Sequence, residues 1–359
     1  MLDAGGWETR YSRQIRFAPI GTDGQRRLGE SAVLVAGVGA LGASLAQHMA
    51  RAGVGTIRLV DRDYVEPSNL QRQALFDEAD ARDALPKAVA AANKLRNVNG
   101  GIRIEARVAD LDSGNADSFV RGADLVLDGT DNAETRLILS DVCYARGIPL
   151  VYGGVAGSEG MTAALVPGET ACLRCLIGGD AVDASADRTC DAVGVIAPAV
   201  EAVAALQAAE ALKWLSGNRG EMRRSWIGLD VWSFAVRESK LPAPRTECEC
   251  CGRAGRQVRQ VAAKAREGIS AALLCGRDTV QVTLADPLPL AEVKARLERS
   301  GAELLAANGW LLKWSVPEGE RIVLFEGGRA LVQGTGDEEH AIRLCLKYVQ
   351  EGREPACAG

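Results

Sequence analysis

Three groups of residues in this sequence have the types and spacing to do chemistry. The first begins with Gly37, Gly39 and Gly42, set as G-x-G-x-x-G in "VLVAGVGALG". Glycines at that spacing permit a tight turn and let backbone N–H groups approach a phosphate at a helix N-terminus. Asp61 follows 19 positions after Gly42, at the end of the next apolar run, where a carboxylate can bond a ribose hydroxyl. This much predicts a bound nucleotide and does not choose among NAD, FAD and ATP. A glycine turn with no ligand is the plain alternative.

The second group narrows that choice. "DRDYVEPSNLQRQALF" brings Asn69, Arg72 and Gln73 just past the second strand, and "LPKAVAAANKL" sets Pro86 and Lys87 at a helix start. Proline is comfortable there. A lysine opposes the helix dipole, which points to an anionic ligand such as a triphosphate; a solvated lysine costs only a few tenths of a kcal/mol. "LVLDGTDNAETR" ends a strand with Asp128, Asp131 and Asn132. Ligands in open α/β sheets lie beyond the carboxyl ends of the strands. A carboxylate facing phosphates there is a natural Mg²⁺ ligand, although Asp131 can equally cap the following helix.

The third group is cysteine. Cys172 and Cys175 form one C-x-x-C, and Cys248 and Cys251 form another 73 positions after Cys175. Two such pairs fit a closed, structural Cys₄ zinc site; a pair of disulfides is the alternative. Cys250 is a spare between them. Cys190 lies among polar residues in "ADRTCDAVGVIAP", where Arg188 favours the thiolate and Asp187 and Asp191 oppose it. Cys143, Cys275 and Cys345 sit in apolar runs and read as small hydrophobes, and Cys357 as a free thiol near the C-terminus. His48 and His340, far apart, are the only histidines, so His-based triads and His-rich metal sites are nearly excluded.

These residues need a scaffold. The 359-residue chain is 47% hydrophobic, enough for a large core, and its formal charge of −5 does not suit nucleic acid. No N-terminal apolar run resembles a signal peptide. The longest apolar stretch, "VGVIAPAVEAVAALQAAEAL", holds Pro198, Glu201, Gln207 and Glu210 and reads as a buried helix, so no membrane span and a cytoplasmic location are expected. The runs "AVLVAG", "TIRLVD", "IRIEARVA", "ADLVLDGT" and "IPLVYGGV" alternate with helical patterns. Leu41, Leu45 and Met49 share one face of the first. This predicts an α/β fold with a doubly wound, mostly parallel sheet. "MTAALVPG" and "SWIGLDVWSFAVRESKL" read as an antiparallel extension. A small α+β module follows: strand "DTVQVTL", helix "LAEVKARLERSG", strand "AELLAANGWLLKWSV", hairpin "RIVLFEGGRALVQG" and helix "DEEHAIRLCLKYVQEG". The expected divisions are 1–256, a linker at 257–267, and a module at 268–359.

The ordered series "RYSRQIRF", "GVGALG", "DRDYVEPSNLQRQ", "PK", "DGTDNAETR", "CLRC", "TCDAVGVIAP" and "CECCG", spanning about residues 7–252, resembles the ThiF/MoeB/HesA family, relatives of the ubiquitin-activating enzymes. The resemblance implies ATP- and Mg²⁺-dependent adenylation of the C-terminal Gly-Gly carboxylate of a ubiquitin-like sulfur-carrier protein. It implies that Gly39 and Gly42 approach the nucleotide and that Asp61 holds the ribose. Asp63 and Asn69 line the pocket, Arg72 and Lys87 bind phosphates, and Asp131 ligates Mg²⁺. It further implies that Arg13 reaches the ATP of the other subunit of a homodimer, and that the four paired cysteines hold Zn²⁺. Arg136 fits the family's Asp-Asn-x-x-x-Arg pattern; a salt bridge is its plainer role. Cys190 matches the cysteine that, in thiamine-branch members, links covalently to the carrier as sulfur arrives from a cysteine desulfurase or other donor. In molybdopterin-branch members the matching cysteine is not needed.

The module beginning "LLCGRDTVQV" resembles an extension of some thiamine-branch members and is short for a rhodanese domain. Thiazole sulfur transfer is therefore expected first, and molybdopterin or tRNA-thiolation sulfur transfer, or adenylation of a peptide, second. An NAD-dependent oxidoreductase explains the glycines and Asp61 but gives no work to Arg72, Lys87 or the cysteines. A non-catalytic zinc scaffold has no use for Arg13, Arg72, Lys87 and Asp131 together.

Overall fold

A computed structural model of the chain describes residues 4–177, 193–252, 269–274, 278–285 and 289–350. It forms two compact units, Met1–Glu78 with Pro86–Ala263, and Ala79–Leu85 with Lys264–Gly359. The expected linker at 257–267 lies outside the described residues, as do Asp187, Arg188, Cys190, Asp191, Cys275 and Cys357.

The chain runs α1 (Ala4–Ile15), α2 (Gly21–Glu30), β1 (Ala32–Ala36), α3 (Ala40–Ala52), β2 (Thr56–Asp61), α4 (Glu78–Arg82), α5 (Lys87–Val98) and β3 (Arg103–Val108). It continues α6 (Ala116–Val120), β4 (Leu125–Asp128), α7 (Ala133–Arg146), β5 (Leu150–Ala156), β6 (Glu159–Leu165), α8 (Leu173–Ile177), α9 (Ala197–Leu215), β7 (Ser225–Asp230) and β8 (Ala235–Lys240). The eight strands form one sheet in the order β3-β2-β1-β4-β5-β6-β7-β8. Strands β1 to β5 are parallel and β6 to β8 antiparallel, as the sequence predicts. Ala36 stands opposite both Val60 and Asp128, so the strand ends that carry the site are level.

The apolar patterns explain this arrangement. All of β4 and nearly all of β1 is buried, as a parallel sheet covered on both faces requires. Leu41, Leu45 and Met49 bury one face of α3, each worth about 1.5–3 kcal/mol relative to exposure. Gly53 ends α3 in the left-handed region, φ 84°, and a side chain there would strike the Tyr11 ring. The apolar helix α9 is a core helix. Its buried Gln207 donates to the carbonyls of Asp128 (3.0 Å) and Val151 (3.1 Å), and its buried Glu210 pairs with Lys213 (2.8 Å) and Arg223 (2.9 Å). Among the described residues no helix is long and apolar enough to cross a membrane.

The second unit holds a six-stranded sheet, β11-β12-β13-β14-β10-β9. Its elements are β9 (Ser270–Leu273), β10 (Thr279–Thr283), α10 (Leu290–Arg299), β11 (Leu304–Ala307), β12 (Leu311–Ser315), β13 (Arg321–Phe325), β14 (Arg329–Gln333) and α11 (Glu338–Cys345). A core around the fully buried Trp314 joins the sheet to both helices. The single strand expected over "AELLAANGWLLKWSV" is two, β11 and β12. Asn308 and Gly309 turn the chain, and Asn308 Oδ1 accepts the N–H groups of Trp310 (2.9 Å) and Leu311 (3.0 Å). Strand β9 was not expected. Cys345 is buried, as its apolar run implies, and burial raises its pKa to about 12.

Candidate active site and metal centre

The glycine loop leaves β1 and enters α3 at the carboxyl edge of the sheet. Its three glycines have different reasons to be glycine. Gly37 has φ +77°, and a Cβ there would lie 2.7 Å from the Gly129 carbonyl oxygen. A Cβ on Gly42 would lie 1.8 Å from the Gly37 oxygen. Both are demanded by the protein's own backbone. A Cβ on Gly39 would meet only Gln73 Nε2, at 3.9 Å. Among the described residues nothing else lies within 4 Å of that position, and it opens at the N-terminus of a 13-residue helix, where an anion is favoured. The loop therefore fits a nucleotide phosphate.

Asp61 ends β2 with both carboxylate oxygens engaged. Oδ2 accepts the Val38 N–H at 2.6 Å and Oδ1 accepts the Asp63 N–H at 2.7 Å. Burial raises its pKa, against the pull of Lys87. In this structure Asp61 ties the glycine loop to the end of β2; a hydroxyl can use only its remaining lone pairs. Lys87 is the first residue of α5 after Pro86, as expected, and is buried. Its ammonium lies 3.5 Å from Asp63 Oδ2, and its N–H donates to the Asp63 carbonyl at 2.8 Å. A carboxylate of the same site thus already offsets the unfavourable dipole. Asn69 is buried, its Oδ1 accepting the Glu66 N–H at 3.1 Å. Arg72 is half-buried and donates to the Ser68 carbonyl at 2.9 Å. Gln73 is buried, and its Oε1 has no hydrogen-bond partner among the described residues.

Beyond β4, Asn132 Oδ1 caps α7 by accepting the Thr135 N–H at 2.8 Å. Asp131, exposed and free of that duty, keeps a carboxylate available at the crevice, which suits a Mg²⁺ ligand. Asp128 is fully buried; Oδ1 accepts from the Thr130 N–H (2.9 Å) and hydroxyl (2.7 Å), and burial raises its pKa against the pull of Arg136. Arg136 lies 3.5 Å from Asp128 Oδ2 and donates to the carbonyls of Thr130 (2.7 Å) and Gly153 (3.3 Å). It does structural work, joining β4 to β5.

The carboxyl edge thus gathers the glycine loop, Asp61, Asp63, Lys87, Asp131 and Asn132. Arg13 is not gathered there. It stands exposed in the last turn of α1, beside Gln14, whose amide donates to the Ala52 carbonyl at the far end of α3 (3.0 Å). At about 1.5 Å per residue, that end is about 20 Å from the chain's own glycine loop.

One cation was passed over in the sequence. Arg62 stands between Asp61 and Asp63 at the end of β2, and a cation between two carboxylates is a signal that could have found it. Its Nη1 lies 3.3 Å from both oxygens of Asp110, beyond β3, and its Nε 3.9 Å from Asp63. Burial disfavours the charge, but Asp63, Asp110 and Asp131 outweigh it and raise the pKa.

The four paired cysteines lie at the opposite edge of the sheet. The N–H of Ala171, just before Cys172, bonds to the carbonyl of Pro242, just past β8, at 2.8 Å. The Sγ atoms of Cys172, Cys175, Cys248 and Cys251 all lie within 4.8 Å of one another. Cys172–Cys248 and Cys175–Cys251 are 3.7 and 3.8 Å apart. Thiolates about 2.3 Å from a central zinc ion make a tetrahedron with edges of about 3.8 Å, so the cluster fits Zn²⁺. The same separations are far beyond a disulfide bond, about 2.05 Å. The N–H groups of Cys250 and Cys251 point at Cys248 Sγ (3.4 and 3.5 Å). Cys250 stays outside the four. Gly252 has no room for a Cβ, which would lie 2.4 Å from the Cys248 carbonyl oxygen. Arg174 pairs with Asp141 of α7 at 2.8 Å and anchors the cysteine-bearing helix.

Fold and site define a doubly wound α/β protein with a glycine-loop crevice at one edge of its sheet and a four-cysteine clamp at the other. The chain belongs to the ThiF family, whose sequence pattern matches residues 11–250. It is 39% identical over 344 residues to the sulfur carrier protein ThiS adenylyltransferase of Bacillus subtilis, covering 95% of this chain and 99% of that one. It is 38% identical over 248 residues to the molybdopterin-synthase adenylyltransferase of Escherichia coli, covering 68% of this chain and 96% of that one. Its fold resembles the crystal structure of Escherichia coli MccB with ATP, with a TM-score of 0.59 at 23% identity over 68% of this chain and 74% of that one.

Proposed function

We propose that this protein uses ATP to adenylate the C-terminal Gly-Gly carboxylate of a ubiquitin-like sulfur-carrier protein, for thiocarboxylate formation in thiamine biosynthesis. The observation that carries the reading is the likeness to the Bacillus subtilis ThiS adenylyltransferase, which extends through the second unit to 95% of this chain. The molybdopterin-branch relative covers only 68%.

A carboxylate is a poor electrophile, and joining it to AMP gives it a good leaving group. A carrier carboxylate oxygen attacks the α-phosphorus, the bond to the β-phosphate breaks and pyrophosphate leaves. Positioning and charge neutralisation supply most of the catalysis, which suits a site without histidine. The open space at Gly39 admits the phosphates, and Gly37 and Gly42 hold the loop in shape for them. Lys87 and Arg72 bind phosphate oxygens, and Asp61, Asp63 and Asn69 line the ribose side. Asp131, next to the helix-capping Asn132, holds Mg²⁺, which when bound neutralises phosphate charge. The cysteine cluster holds Zn²⁺ as a structural clamp. Arg13 serves the crevice of a partner copy in a homodimer, which accords with its distance from its own loop. Cys190, carrying persulfide sulfur from a donor such as a cysteine desulfurase, attacks the carrier acyl-adenylate, expels AMP and forms an acyl disulfide to the carrier, which a thiol reductant cleaves to free the thiocarboxylate.

The test is ATP–pyrophosphate exchange with a panel of Gly-Gly-tailed carrier proteins, followed by intact mass. Exchange driven by a carrier, with a mass gain of AMP on that carrier, is expected. Exchange absent with every carrier removes the reading. Cys190→Ala that still yields thiocarboxylated carrier at the normal rate removes the sulfur-relay step alone.

A further inference from the structure

The crevice has a wall that the reaction as described does not use. Arg62 follows Asp61 directly at the end of β2, and its side chain runs toward Asp110 beyond β3, the outermost strand of the sheet. The strand order is β3-β2-β1, so a nucleotide with phosphates at the N-terminus of α3 and ribose at the end of β2 would, continuing along that line, bring its base over the ends of β2 and β3. That is where the guanidinium stands.

Its orientation is fixed. Nη1 lies 3.3 Å from each Asp110 oxygen, Nε lies 3.9 Å from Asp63, and the side chain is 28% exposed. Hydrogen bonds to a guanidinium lie in its plane and hold the plane still, while its faces serve stacking on aromatic rings. A flexible cation aimed at phosphate needs no such bracing on the side away from the glycine loop.

We propose that the Arg62 guanidinium, braced by Asp110, stacks on the purine ring of the nucleotide and is a base-binding residue of this site. The proposal rests on the adenylation reading for the nucleotide and adds the residue that recognises its base. Arg62 acts on binding of the base and not on the phosphates, which Lys87 and Arg72 hold.

Titration calorimetry on the full-length protein tests this with two probes, ATP and inorganic tripolyphosphate. Arg62→Ala is expected to weaken ATP about five- to thirty-fold, the range for a cation–π contact out of bulk water, and to leave tripolyphosphate within about two-fold. Arg62→Phe, which restores a flat face without charge, recovers ATP to within about three-fold of the parent. Arg62→Lys keeps the charge and does not recover it. Asp110→Asn, which loosens the plane, weakens ATP alone. Unchanged ATP affinity in Arg62→Ala overturns the proposal, and so does an equal loss for tripolyphosphate, which makes Arg62 a phosphate contact. If Arg62→Ala does not fold, as read by circular dichroism, Arg62→Phe against Arg62→Lys carries the decision: equal ATP affinity in these two overturns it. Parent protein that binds no ATP removes the nucleotide reading itself, an outcome distinct from all of these.

Discussion

Asn132 Oδ1 accepts the Thr135 amide at 2.8 Å, and that bond frees the neighbouring Asp131 from capping α7. The two adjacent residues therefore separate in a mutational test. Asn132→Ala removes the cap and costs about 1 kcal/mol, which lowers Tm by about 2–4 °C for a unit of this size. Asp131→Ala leaves Tm within about 1 °C and lowers carrier-driven ATP–pyrophosphate exchange at least about 100-fold. Thermal melting and exchange on the same preparations check both.

The glycines of the loop divide in the same manner. Gly39→Ala places its methyl in open space, so the protein folds with near-normal stability while ATP binding weakens. Gly42→Ala drives a Cβ into the Gly37 carbonyl oxygen, 1.8 Å away, and costs more than about 3 kcal/mol. Denaturant unfolding and nucleotide titration distinguish the two variants.

At the other edge of the sheet, Cys248→Ser opens the thiolate cluster. Bound zinc falls toward zero and Tm drops, because metal binding to such a site is folding free energy. Cys250→Ser keeps a full equivalent of zinc, since its sulfur lies outside the four that converge. Metal content by mass spectrometry, on protein purified without chelator, is the measurement.

Asp61 gives a pH dependence of unusual sign. Its folded pKa stands above the ordinary 3.8 because it is buried. Such a group adds stability below its unfolded pKa, and that contribution is lost as pH rises through the folded value. Relative to Asp61→Asn, the parent protein should lose stability as pH rises above about 4 and through the raised folded value. Parallel unfolding curves across that range, with a constant offset, would refute the shift.

Much of this was legible in the sequence because the signals are local. The glycine spacing, the Pro86–Lys87 helix start and both C-x-x-C pairs lie within a few residues of themselves, and alternating apolar runs predict the parallel sheet. The division of β11 from β12 was also written locally, in Asn308-Gly309, but the apolar residues on either side concealed it. Asp61 is expected to bond a ribose hydroxyl, and sequence spacing carries no record of the two backbone N–H groups that its carboxylate also accepts in the fold.

The sequence by itself determined which residue types were available for chemistry, and in what order along the chain: loop glycines, a helix-start lysine, strand-end carboxylates and paired cysteines. Only the tertiary structure decided which of them meet. Strand order sets the ends of β2, β3 and β4 so that Asp63, Asp110 and Asp131 all act on Arg62. The antiparallel return through β6 to β8 carries Cys248 and Cys251 back to Cys172 and Cys175, at the edge away from the glycine loop. The physical reason is that burying both faces of one sheet fixes strand order and register together, and residues distant in the chain become neighbours only once that packing is complete.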